Sequence, residues 1–145
     1  MSHTVGRPYA CSDVTPLFRK SEEKAAREET GRVEFERLMA LPVADLASEL
    51  MPAFGPDGPH GRGPDGGINI LQLLGWVSTT HFPSGVSYQR ELMEPVREGV
   101  QALESAGLVL STRRQQGTWM AVTRLGQTAL AEGTVHAHLV GQPST

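Results

Sequence analysis

Val100-Gln101-Ala102-Leu103-Glu104-Ser105-Ala106-Gly107-Leu108-Val109 is the stretch that decides the fold. It continues a spacing set just upstream, because Val96, Val100, Leu103 and Ala106 are separated by four, three and three positions. That spacing puts their side chains on one face of an α-helix. Gly107 sits where a helix end wants a left-handed residue, a conformation that glycine adopts without a Cβ clash. Leu108-Val109-Leu110 then reads as the start of a strand. A helix buried on one side therefore turns directly into a β-element.

Downstream, Ser111 to Gly117 is polar and ends in glycine, as a hairpin tip should. Trp119, Ala121 and Thr123 alternate with Met120 and Val122, which predicts a second strand. Thr123 supplies a cap for a last helix, Arg124 to Ala131, and Gly133 ends it. Upstream, the helix starts near Glu94, with Pro95 in its first turn. A short helix from about Ser87 to Met93, with Ser87 as N-cap, and a turn over His81 to Gly85 precede it. Ile68 to Thr80 predicts a further helix. Ile68, Leu71, Leu74 and Val77 line one face, with Ile70, Leu73 and Trp76 beside it, a breadth that belongs inside a core.

The order is helix, short helix, helix, strand, turn, strand, helix. With Val100 to Val109 and Trp119 to Leu130 as its strongest segments, it resembles the winged helix-turn-helix superfamily of bacterial regulators of the MarR, PadR and ArsR types. The resemblance implies a mainly α fold with a small antiparallel β wing, here preceded by an N-terminal helical extension. It also implies a third helix that enters a DNA major groove, and dimer contacts supplied by N-terminal helices. The expected organisation is an arm over 1–15, a helical extension over 16–54 for dimerisation or partner docking, and a linker over 55–67. A winged-helix domain over 68–132 and a tail over 133–145 complete it.

The extension is polar. Thr15-Pro16 is a helix start, and Glu23–Arg27 and Glu28–Arg32 have the i,i+4 spacing of supporting ion pairs. Only Ala25 and Ala26 are apolar between Phe18 and Gly31, and Gly31 is expected to weaken or end the helix. Val33, Phe35, Leu38, Met39 and Leu41 suit one side of a short helix. After Pro42, the stripe Val43, Leu46, Ala47 and Leu50 suits another. Gly55 to Gly67 repeats Gly-Pro-Asp-Gly and cannot hold a helix or a central strand. It reads as a linker, since it lacks the ending of a phosphate loop and the glutamate of a calcium loop.

The whole chain carries a formal charge of −3, so attraction to nucleic acid has to be local. Segment 87–106 holds Arg90 and Arg97 against Glu91, Glu94, Glu98 and Glu104, two cations against four carboxylates. Facing phosphates, these glutamates repel unless they accept from a cytosine amino group. Residues 107–131 instead carry Arg113, Arg114 and Arg124 and no acidic residue. Candidate contacts to double-stranded DNA are Arg90, Arg97, Gln101, Arg113, Arg114, Gln115, Gln116 and Arg124. The wing reads either as a basic flap on phosphates or as a solvated turn. The acidic third helix leaves a second reading open, a protein-docking module within a larger assembly.

No catalytic residue, cofactor site or metal site is assigned. His136 and His138 have no third ligand nearby, and His60 and His81 fall in turns and read as exposed. Cys11 is a lone thiol without a histidine at a recognisable spacing. Trp76 and Trp119 read as packing residues. No apolar run approaches the roughly 20 residues of a membrane span. With no signal-peptide pattern at the start, the expectation is a cytoplasmic protein with no membrane partner.

Overall fold

A computed structural model describes residues 6–59, 66–114 and 117–141, with side chains from residue 19 onward. The protein is mainly α-helical with a two-stranded antiparallel sheet near its C-terminal end. The helices are α1 (Gly6–Ala40), α2 (Val43–Leu50), α3 (Ile70–His81), α4 (Gln89–Ser105), α5 (Arg124–Glu132) and α6 (Val135–Val140). The strands are β1 (Val109–Arg114) and β2 (Gly117–Val122). A 3-10 turn, Met51–Phe54, extends α2.

The deciding stretch folds as its spacing predicts. Val96, Val100, Leu103 and Ala106 are buried, joined by Leu92. Gly107 has φ 77° and ends α4. Its N–H donates to the Glu104 carbonyl and the Leu108 N–H to the Leu103 carbonyl, the paired bonds of a Schellman cap. The hairpin pairs Val109 with Val122 and Arg114 with Gly117. Thr123 caps α5 by accepting from the Gly126 N–H at 3.0 Å, and Gly133, at φ 71°, closes it.

Several expectations need correction. The expected helices over 87–93 and 94–106 are one helix, which runs through Pro95. Proline costs a backbone hydrogen bond there, yet the apolar face is continuous from Leu92 to Leu103 and holds the turn. Ile68 is not helical. It makes an isolated antiparallel bridge to Met120, with N–H···O contacts of 2.8 and 2.7 Å, on the edge of β2 opposite β1. The helix starts one residue after Asn69, which forms a reciprocal capping box with Gln72. That start sets the helix phase, so Leu73, Leu74 and Val77 are buried and Leu71 is 63% exposed.

At the N-terminal end, α1 already includes residues 6–15, the expected arm, and passes through Gly31. Gly31 is a contact point: a Cβ there would lie 2.5 Å from Val86 Cγ1. Phe35 stacks on Tyr88 with ring centroids 4.5 Å apart, and Leu38 is buried, while Val33 and Met39 are exposed. Residues 135–140, expected as tail, form α6, with Val135 and Leu139 buried. Residues on both sides of the Gly/Pro-rich stretch, from Leu46, Leu50 and Met51 to Leu73, Leu103 and Met120, belong to one core cluster.

Candidate nucleic-acid interface

Helix α4 is held by its inner face. Gly99 is buried against α2, where a Cβ would meet Leu50 Cδ1 at 2.7 Å and Ala47 Cα at 3.6 Å. Glycine therefore lets the two helix backbones approach, which outweighs its propensity cost of about 1 kcal/mol. With that face fixed, Arg90, Glu94, Arg97 and Gln101, spaced four, three and four, form an exposed outer line. Glu91, Glu98 and Glu104 are exposed as well.

Strand alternation divides the wing arginines. Arg113 shares a sheet face with Val109 and Ser111, and Arg114 shares the other with Leu110 and Thr112. Arg113 and Arg97 line one cleft of about 610 Å³, together with Asn69, Leu71, Glu104 and Ser111. Three chain segments thus converge: the start of α3, the outer part of α4 and the inner face of the wing. Arg90, Arg114, Arg124 and Gln101 are exposed but lie outside this cleft. Gln115 and Gln116 fall outside the described residues.

Sequence reasoning alone does not bring Asn69 and Leu71 to this cleft. The Asn-x-x-Gln spacing of a capping box over 69–72 is the signal that fixes the phase of α3 and turns Leu71 outward. Leu110, 64% exposed, is legible in the same way, since it alternates with the buried Val109.

Among the described residues, Arg90, Arg97, Arg113, Arg114 and Arg124 form no ion pair. The arginines of α1 differ. Arg32 bonds Glu29, and Glu36 at 2.8 Å, rather than the expected Glu28. Arg37 bonds Glu34 at 2.7 Å and Glu49 of α2 at 3.1 Å. His81, the last residue of α3, is not exposed as expected. Its side chain is 15% accessible, and Nδ1 lies 3.0 Å from Glu34 Oε2. The Arg37 guanidinium, aided by His81, holds the Glu34 carboxyl below its ordinary pKa against the opposing effect of burial. These side chains tie α1, α2 and α3 together at one corner.

Of the C-terminal histidines, His136 Nε2 meets Asp45 Oδ1 at 2.5 Å. In α6 the i,i+2 pair is splayed by helical geometry, unlike the extended arrangement that a shared metal would need. No three His, Cys, Asp or Glu side chains among the described residues form a group suited to a metal. No described helix is long and apolar enough to cross a membrane. Compared with known proteins, the chain matches no protein family, no curated protein and no solved structure.

Proposed function

We propose that this is a DNA-binding winged-helix protein, a small transcriptional regulator acting as a homodimer. The observation that carries the reading is the meeting of Arg97 and Arg113 in one cleft, with neither guanidinium paired to a carboxylate among the described residues. Unpaired arginines on a concave face suit the fork-like recognition of phosphate and of guanine edges. Arg114 and Arg124 extend the positive charge across the wing and into α5. Glu104, in the same cleft, either accepts from a cytosine amino group or weakens non-specific binding. For the dimer, α1 offers residues 19–30, all exposed, to a second copy. The protein supplies no chemistry in this reading, so it is not an enzyme.

The test is fluorescence anisotropy of a labelled random-sequence duplex, titrated with the protein at roughly 50 mM salt and again at about 200 mM. Binding that weakens with salt, and weakens further in Arg97→Ala and in the Arg113→Ala/Arg114→Ala double variant, supports the reading. No binding at the lower salt refutes it.

A second reading, a docking module within a larger assembly, is favoured by one observation: Leu110 is largely exposed on the outer face of the wing, alongside the half-buried Trp119. A stoichiometric protein partner retained through purification, and lost in Leu110→Asp, would select it.

A further inference from the structure

A second concavity lies at the root of the wing. It is a cleft of about 530 Å³ between the turn after α2, the end of β2 and the outer side of α5. Its volume is in the range of small-molecule sites. Phe54, Val122 and Leu130, all half-buried, and Pro56 give it apolar walls, while Asp57 and Gln127 are its polar groups. Among the described residues, no lysine, arginine or histidine lines it and the Asp57 carboxylate forms no ion pair. We infer that this cleft is a binding site for a small aromatic cation of the arylalkylammonium type.

The chemistry follows from the lining. A ring packs on the Phe54 and Pro56 surfaces and against Leu130, as apolar pockets favour. The ammonium then reaches Asp57, the only charged group among the described residues of the cleft, while the Gln127 amide oxygen can accept a second N–H. A carboxylate ligand of the same size meets Asp57 with the wrong sign and finds no cation among the described lining residues to compensate.

Occupancy has a route to the wing. The α5 wall is packed without slack: a Cβ on Gly126 would lie 2.2 Å from the Leu108 carbonyl oxygen, 2.7 Å from Val122 Cγ2 and 3.0 Å from Met51 Cε. A ligand that displaces α5 therefore presses on the first residue after Gly107 and on the last residue of β2. The binding site stands independently of the DNA reading, because its test uses no DNA.

The experiment is a two-dimensional amide NMR titration of the full chain. The ligands are 2-phenylethylammonium and, as the charge control, 3-phenylpropionate. For a ligand of this size in a half-open cleft, a dissociation constant on the order of 1 mM is expected. The ammonium ligand should shift the amides of Gly55, Val122, Gln127 and Ala131 saturably and bind several-fold more tightly than the carboxylate. Asp57→Asn should abolish that preference without altering the dispersed spectrum. Leu130→Trp should block both ligands by filling the cleft. No saturable shift at these amides, equal affinity for the two ligands, or an unchanged preference in Asp57→Asn each overturns the assignment.

Discussion

Helices α1 and α4 are both rich in arginine and glutamate, yet they use those charges in opposite ways. In α1, Arg32 and Arg37 are each held by two carboxylates, and part of that network fastens the helix to α2 and α3. In α4, Arg90 and Arg97 form no ion pair among the described residues, although that helix carries four glutamates against two arginines. The difference lies in what holds each helix. Helix α4 buries Leu92, Val96, Val100 and Leu103, so it needs no charge pairs to stay in place and its outer face stays open to solvent. Helix α1 buries Leu38 and leaves 19–30 exposed, so its docking depends more on polar contacts at one corner. A composition count cannot separate these uses; the partners of each guanidinium can.

The strongest way to break this contrast is to attack the apolar anchor. Leu103, fully buried, is expected to lose about 2–5 kcal/mol of stability when changed to alanine, from lost transfer energy and the cavity left behind. Ala25→Gly, in the exposed part of α1, should cost no more than about 1 kcal/mol, a propensity effect alone. Urea unfolding of both variants measures the difference. Similar losses at the two sites would mean that α4 is not the better anchored helix.

The unpaired arginines give the next effect. Each lost phosphate contact should weaken duplex binding roughly tenfold at about 0.1 M salt, through lost counterion release. Arg113→Ala/Arg114→Ala should also lower the slope of log affinity against log salt by about two. An unchanged slope would show that these arginines touch no phosphate, and would return the wing to the status of a solvated hairpin.

Much of this is legible in the sequence, and the misses share one cause. The spacing of Val96, Val100 and Leu103, the glycine at 107 and the alternation through Val122 specify helix, cap and hairpin, because each follows a local rule that no distant contact opposes. Ile68 reads as helical because an apolar residue beside an apolar run carries no mark of its period. Its strand bridge depends on Met120, far along the chain. Gly31 reads as a break because propensity is local, whereas its contact with Val86 is tertiary. His81 reads as exposed for the same reason, since Glu34 and Glu49 come from other elements. At the candidate site, residue type and position single out Arg97 and Arg113 separately. They do not reveal that one cleft holds both, or that strand alternation sends Arg114 to the opposite face.

The corner that fastens α1 offers a smaller, pH-dependent effect. Glu34 has a folded pKa below its ordinary value of 4.5, so its ionised form is the one that folding favours. Its stabilisation is present above the unfolded value and is lost as pH falls through the folded one. Glu34→Gln should therefore lower stability by about 1 kcal/mol near neutral pH, as expected for a half-screened pair. The gap to the unsubstituted protein should narrow as pH falls below 4.5 and close once pH passes the lower, folded value, where that protein protonates the same carboxyl. Thermal melts of the two proteins at matched pH values measure this, and a gap that widens on acidification would reverse the assigned role of Glu34.

Arg32 completes the series with the smallest change. It bonds Glu29 and Glu36, all three side chains being largely exposed on one helix. Solvent screening cancels most of such a pair, so Arg32→Ala should leave the melting temperature almost unmoved. The same variant should leave duplex affinity and its salt slope unaltered, because a guanidinium already held by two carboxylates presents little net charge to phosphate. Arg32→Ala and Arg97→Ala remove the same side chain from two solvent-facing helices, so only the pairing and placement of the charge differ. If both weakened DNA binding equally, free and paired arginines would be equivalent to the ligand, and the distinction between α1 and α4 would lose its functional meaning.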